Sequence, residues 1–152
     1  MSDGRLSKKI VKRINIMISS ITKGYKQLLL EANSEIQTIS IAKAMEIFND
    51  ENYQFIDLRD FREIQRSGKI PGSFSCPRGM LEFWIDPESP YHKEIFSNGK
   101  NYVFYCASAW RSALATKAAK EMGLQKVSHI DGGFTNWKKS GGKIEPVSSD
   151  KD

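Results

Sequence analysis

The sequence predicts an α/β fold: a small, mostly parallel sheet with helices on both faces, preceded by an N-terminal amphipathic helix. Three observations carry that expectation. Beyond Asn33, short apolar runs alternate with helical stretches, the order that lays strands side by side with helices as crossovers. Tyr102 to Tyr105 reads Tyr-Val-Phe-Tyr without a charge, as a strand covered on both faces does. Residues 6–32 instead repeat apolar residues at steps of three and four, the period of one helix face.

The arm comes first. Val11, Ile14, Ile18, Ile21, Tyr25 and Leu28 form its apolar seam, while Lys12, Asn15, Ser19, Lys23 and Lys26 fall largely elsewhere. One helix over 6–32 is expected, with a bend permitted at Gly24, where glycine costs about 1 kcal/mol relative to alanine. Docking on the body, pairing with a second copy, and lying on an anionic membrane all suit such a seam. The chain divides into this arm at 1–33, a folded domain at 34–147 and a polar tail at 148–152.

In the domain, Ile36–Ile39 is a brief strand and Ser40 suits the N-cap of a helix running to about Phe48. Tyr53–Leu58 is a strand, followed by a short helix over Asp60–Arg66 and a turn at Gly68–Gly72. Ser73–Cys76 is a short strand. Residues 79–97 read as two helical turns around Asp86-Pro87-Glu88-Ser89-Pro90. After the Tyr102–Tyr105 strand comes an alanine-rich helix, Ser112–Met122, stopped by Gly123. Val127–Ile130 is the last strand, Gly132-Gly133 a turn, and Phe134–Lys139 the closing helix.

Composition narrows the function. With 39% hydrophobic and 27% charged residues, the 152-residue chain can bury a core and is not a disordered chain. Of the net charge of +5, residues 1–30 hold seven basic residues against one acid, so the body is close to neutral. That distribution argues against a nucleic-acid-binding face. Two cysteines, Cys76 and Cys106, are too few for a disulfide scaffold, and with His92 and His129 they form no ligand spacing for a metal. A reducing compartment, the cytoplasm, is expected. The apolar run Ile14–Ile18 is short and broken by Asn15, unlike a secretory leader, and no stretch reaches the length of a membrane span.

The chemistry concentrates at Cys106-Ala107-Ser108-Ala109-Trp110-Arg111-Ser112, between the most apolar strand and a helix start. In parallel sheets, chemistry sits at such carboxyl ends of central strands. Unpaired N–H groups of the helix and a curled loop favour a thiolate and cradle an anion, and Arg111 adds positive charge. Small residues Ala107, Ser108 and Ala109 permit the curl. The bland alternative is a small buried cysteine that merely ends a strand.

Tyr105-Cys106-Ala107-Ser108-Ala109-Trp110-Arg111-Ser112-Ala113 resembles the active-site loop of the rhodanese family, whose usual form is Cys-x-x-Gly-x-Arg-Ser. Asp57-Leu58-Arg59 with Glu63, Gly68-Lys69-Ile70-Pro71-Gly72-Ser73, Met122-Gly123-Leu124 and Gly132-Gly133-Phe134-x-x-Trp137 resemble further family segments in the same order, over about residues 35–145. The resemblance implies a rhodanese-like fold and transfer of a sulfane sulfur without a cofactor. Cys106 would be the nucleophile, and main-chain N–H groups of residues 107–112 would hold its persulfide. A small anionic donor such as thiosulfate and a thiol or cyanide-like acceptor are implied, with a protein acceptor also conceivable.

Two departures stand out. Ala109 occupies the usual glycine position, so its backbone must avoid positive φ or tolerate strain. Trp110 is bulky beside the sulfur and suits a wall that selects acceptors. Among supporting residues, Asp57 is expected to pair with Arg111 and hold the loop, with Arg59 beside it. Arg78 is a candidate for the anionic donor. Cys76 reads as a strand residue rather than a resolving thiol, and His129 as packed. Met80–Trp84 suits a lid, a partner surface or simply core. The arm is expected to be dispensable for chemistry, with a homodimer through its seam as one outcome. Rival functions are a non-catalytic or regulatory module, and a phosphatase. Cell-cycle phosphatases of related fold use Cys-x5-Arg, whereas Cys106 and Arg111 are spaced Cys-x4-Arg, a smaller cradle.

Overall fold

The computed structural model describes residues 7–18 and 20–148, with side chains except those of 14–18. The tail beyond Ser148 and the side chains of Ile14 and Ile18 in the seam lie outside what the structure describes.

Five strands form one sheet in the order β1-β5-β4-β2-β3: β1 Gln37–Ile39, β2 Tyr53–Asp57, β3 Phe74–Ser75, β4 Asn101–Tyr105 and β5 Val127–Ile130. Every neighbouring pair is parallel, so the sheet is more uniform than the sequence alone required. The crossovers are α3 Ile41–Ile47, α4 Phe61–Ser67, α5 Leu81–Ile85 and α6 Trp110–Glu121, and α7 Gly133–Lys139 follows the last strand. One-turn 3₁₀ segments at Arg78–Met80 and Glu94–Ser97 flank α5.

Strand periodicity sorts the core into two layers. Ile56, Tyr102 and Phe104 pack with Leu81, Phe96, Ala115 and Ala119 on one side of the sheet. Phe55, Val103, Tyr105 and Ile130 pack with Ala44, Ile47, Phe134 and Trp137 on the other. Local signals set the helix starts. Ser40 Oγ accepts from the Lys43 N–H. At α4 a full capping box forms: Asp60 accepts from the Arg62 N–H while Glu63 accepts from the Asp60 N–H. The Met80–Trp84 segment is mainly core: Leu81 is buried and Trp84 packs edge-on to Phe74, leaving Phe83 exposed.

The single helix expected over 6–32 is two helices, α1 Lys8–Ile18 and α2 Tyr25–Glu35. Gly24, extended at φ −83° and ψ 174°, begins α2. Serine, threonine and β-branched isoleucine around the break are weak helix formers, and Gly24 removes the remaining tendency to continue. Tertiary contacts complete the separation. Ala32 of α2 is fully buried, and Lys120 of α6 donates to the Glu35 carbonyl. Half of the arm therefore docks on the body, while Ile10 and Val11 of α1 are exposed. Among the described residues no helix is long and apolar enough to cross a membrane.

Candidate active site

β4 is the central strand, and its carboxyl end delivers Cys106 beneath the N-terminus of the twelve-residue helix α6. The Ser112 N–H points at Cys106 Sγ from 3.3 Å, and the Ser112 hydroxyl lies 3.6 Å from the same sulfur. A free backbone N–H at a helix start is what a sulfur anion requires.

Ala109 resolves the sequence's open question: it adopts the left-handed conformation, φ 73° and ψ 1°, the only described non-glycine residue with positive φ. The loop thus keeps the glycine-type curl and carries the strain of a Cβ there. Ala109→Gly is expected to raise stability by about 1 kcal/mol, less whatever glycine adds to the freedom of the unfolded chain. A urea midpoint that stays put or falls would show that no strain is stored at this position.

The turn after β5 supports the loop from below. Phe134 N–H donates to the Cys106 carbonyl at 2.8 Å, and Thr135 N–H to the Ala107 carbonyl at 3.0 Å. Gly133, at φ 63°, makes this approach feasible, since a Cβ there would stand 2.6 Å from the Cys106 oxygen and 2.7 Å from that of Ala107. The Gly132-Gly133 pair is therefore part of the cradle's construction.

Arg111 is held differently from expectation. Its two terminal nitrogens meet Glu63 in a fork, at 2.8 and 3.0 Å. Asp57 is engaged by Arg59: Nε and Nη2 reach its two oxygens at 3.0 and 2.7 Å, with both residues buried. Arg59 Nη2 also donates to the Gly68 carbonyl, and its guanidinium lies 4.0 Å above the Phe134 ring. Burial works against the charge on Arg59, but the Asp57 contacts outweigh it and raise its pKa. Asp57–Arg59 is thus a buried brace under the Gly68–Gly72 turn and α7, and Glu63–Arg111 is the clasp on the loop. The reason is reach: α4 starts right after Arg59, so its first turn carries Glu63 toward the helix that begins at Trp110.

The Arg111 hydrogen bonds hold the Glu63 carboxyl at about 2, against the opposing effect of burial. A folded-state value below the unfolded one of about 4.5 stabilises fully above pH 4.5, and the contribution is lost as pH falls toward 2. Glu63→Gln is therefore expected to flatten the stability curve in that window, with roughly one proton fewer taken up on acid unfolding. Equal slopes for the two proteins in acid denaturation would refute the clasp.

The remaining candidates separate cleanly. Arg78 pairs with Glu82 one turn along at 2.8 Å. Cys76 is fully buried among Ile56, Leu58 and Leu81, and burial pushes its thiol up to about 12, which suits a core residue. Trp110 is exposed on the rim, and Tyr25 of α2 packs on it with ring centroids 5.1 Å apart. The arm thus reaches the edge of the loop, which the motif positions gave no reason to expect. His129, read from sequence as merely packed, hydrogen-bonds Ser112 Oγ through Nδ1 at 2.9 Å. No sequence signal marked it, because β5 is buried along its whole length and alternation cannot separate its faces.

A model for the rhodanese-like domain matches residues 40–140 of the chain. A solved structure from Rhodopseudomonas palustris CGA009, described as a protein of unknown function and possible tyrosine phosphatase, is 56% identical with a TM-score of 0.81, covering 84% of this chain and 98% of that one. The thiosulfate sulfurtransferase GlpE of Pseudoalteromonas translucida is 29% identical over 99 residues, 65% of this chain and 86% of its own length. The mouse thiosulfate sulfurtransferase/rhodanese-like domain-containing protein 3 is 29% identical over 96 residues, and the chain spans about three fifths of it.

Proposed function

The chain belongs to the family of rhodanese-like domains, and from that premise we propose that it is a sulfurtransferase working through a Cys106 persulfide. The observation that carries the reading is the Cys106 sulfur at the N-terminus of α6, with the Ser112 N–H aimed at it and the loop curled through a left-handed Ala109. The Cys106 thiolate attacks the sulfane sulfur of a donor such as thiosulfate. A bond forms between the two sulfurs, the donor's S–S bond breaks, and sulfite leaves with the electron pair. An acceptor thiolate or cyanide then attacks the outer sulfur of the persulfide, and the pair returns to Cys106. The loop and helix donors stabilise negative sulfur at each stage. Trp110 with Tyr25 forms a wall suited to choosing acceptors. Incubation with thiosulfate should increase the intact mass of the protein by one sulfur atom, and an acceptor thiol should remove it. A mass unchanged by thiosulfate and by other sulfane donors would overturn the reading.

The description of the Rhodopseudomonas relative favours a second reading, a phosphatase. Against it stand the Cys-x4-Arg spacing and the Glu63 fork, which occupies both terminal nitrogens of the one arginine in the loop. Hydrolysis of p-nitrophenyl phosphate dependent on Cys106 would favour the phosphatase.

We further propose that α1 pairs with a second copy. Ile10 and Val11 are exposed on it, and α2 already has its place on α6. Deleting residues 1–20 should halve the mass seen by light scattering and leave sulfur transfer in place. A full-length protein that scatters as a monomer rules this out.

A further inference from the structure

Behind the sulfur runs a chain of hydrogen bonds, buried except at its exposed Thr38 end, that the transfer reaction described above does not use. Cys106 Sγ is 3.6 Å from Ser112 Oγ, which is 2.9 Å from His129 Nδ1, and His129 Nε2 is 3.0 Å from Thr38 Oγ1. Ser112 is fully buried, and Cys106 and His129 are nearly so. The four residues come from β1, β5, the loop after β4 and α6, so the chain runs from the central strand to the edge strand β1 at the level of the cradle.

We propose that His129 is a positioning residue that aims the Ser112 hydroxyl at the Cys106 sulfur, a role that rests on the sulfur-transfer reading of this site. A serine hydroxyl has one proton and two neighbours here, so it can donate to only one of them. When the neutral imidazole carries its proton on Nδ1, it donates to Ser112 Oγ. Nε2 then accepts from the Thr38 hydroxyl, and the Ser112 O–H is left to donate to Cys106. That arrangement suits a thiolate, and it suits the thiolate reformed when an acceptor takes the outer sulfur. With the proton on Nε2 the chain reverses: Thr38 accepts from His129, the Ser112 O–H turns to Nδ1, and Ser112 Oγ accepts from a Cys106 S–H. The imidazole thus lets one hydroxyl serve either state of the sulfur, as a purely apolar residue in its place would not.

Burial keeps the imidazole neutral, pushing it down to about 4 against the opposing effect of Asp131. Both ring nitrogens are therefore in play, one as donor and one as acceptor. The charged groups near this chain are Arg111 of α6, clasped by Glu63 of α4, and Asp131 at the end of β5. Of these, Arg111 also interacts with the Cys106 sulfur, a contact that the histidine variants leave in place, while Ser112 brings both its N–H and its hydroxyl to the same sulfur.

The test is the ultraviolet absorbance of the Cys106 thiolate against pH, taken as the difference from a Cys106→Ser protein. This readout needs neither a sulfur donor nor access of a reagent. Cys76, pushed up to about 12, stays silent through the neutral range. Ser112→Ala and His129→Phe are each expected to move the thiolate curve to higher pH, by about one unit, since a hydrogen bond to a charged group is worth roughly tenfold in equilibrium. The double variant should show no further movement. His129→Asn, which can place an amide N–H near the position of Nδ1, should recover most of the shift and also covers the case in which His129→Phe fails to fold. An unmoved curve in the histidine variants, or an equal shift whether or not Ser112 is present, overturns the proposal. A wild-type protein that forms its thiolate normally yet accepts no sulfur overturns the sulfurtransferase reading instead, and leaves the geometry of the hydroxyl standing.

Discussion

Replacing Cys106 by serine is expected to lower thiosulfate:cyanide turnover by at least about a thousandfold while leaving the fold in place. A hydroxyl at this position is protonated at neutral pH and is a poor nucleophile toward sulfane sulfur, so neither formation nor discharge of a persulfide can proceed. The substitution is nearly isosteric at a residue only 1% exposed, and the Ser112, Phe134 and Thr135 contacts that shape the loop are all backbone-based or small enough to persist. Circular dichroism and the urea midpoint should therefore stay close to the parent while the mass shift with thiosulfate disappears. The chain has one other cysteine, Cys76, whose thiol burial pushes up to about 12, so it cannot take over. Turnover near the parent rate in Cys106→Ser would mean that the reaction runs elsewhere.

Asp57→Asn is expected to be the most destabilising of the conservative changes, at about 3–5 kcal/mol, because it strands a buried guanidinium without its counter-charge. Arg59 is 1% exposed and has its Nε and Nη2 on Asp57, with the Gly68 carbonyl and the Phe134 and Tyr105 rings around it and the Glu63 carboxylate, already engaged by Arg111, acting on it only through space. Against a total stability of roughly 5–15 kcal/mol, that loss would shift the urea midpoint well beyond experimental error. Replacing both partners by apolar residues of similar volume should recover much of it, because the cost lies in the unpaired charge. A midpoint within about 1 kcal/mol of the parent for Asp57→Asn would show that the brace contributes little.

The candidate site was legible where it is written in contiguous residues. A run of four uncharged residues followed by cysteine, three small residues and a helix marked Cys106 and its loop, and the left-handed turn appeared at Ala109, the position where strain was the alternative to avoiding positive φ. Pairings across the sheet were not legible. Asp57 was the expected partner of Arg111, and the direction of α4 decides instead that Glu63 forms the clasp while Asp57 turns to Arg59. His129 and Thr38 lie 91 residues apart in sequence and meet because β1 and β5 are parallel neighbours in matching register.

What the sequence determined by itself is local: strand and helix periodicity, the Ser40 cap, the glycine turns, and a nucleophile at a strand end. These depend on a few neighbouring residues and on backbone preferences that act wherever the segment is placed. The tertiary structure alone decided the order of the strands, the partner of each buried charge, the docking of α2 on α6, and the hydroxyl–imidazole chain behind the sulfur. Those outcomes depend on which distant surfaces meet when two apolar layers close on one sheet. Burial then forces each polar group enclosed between them to find whatever partner the packing has brought within reach.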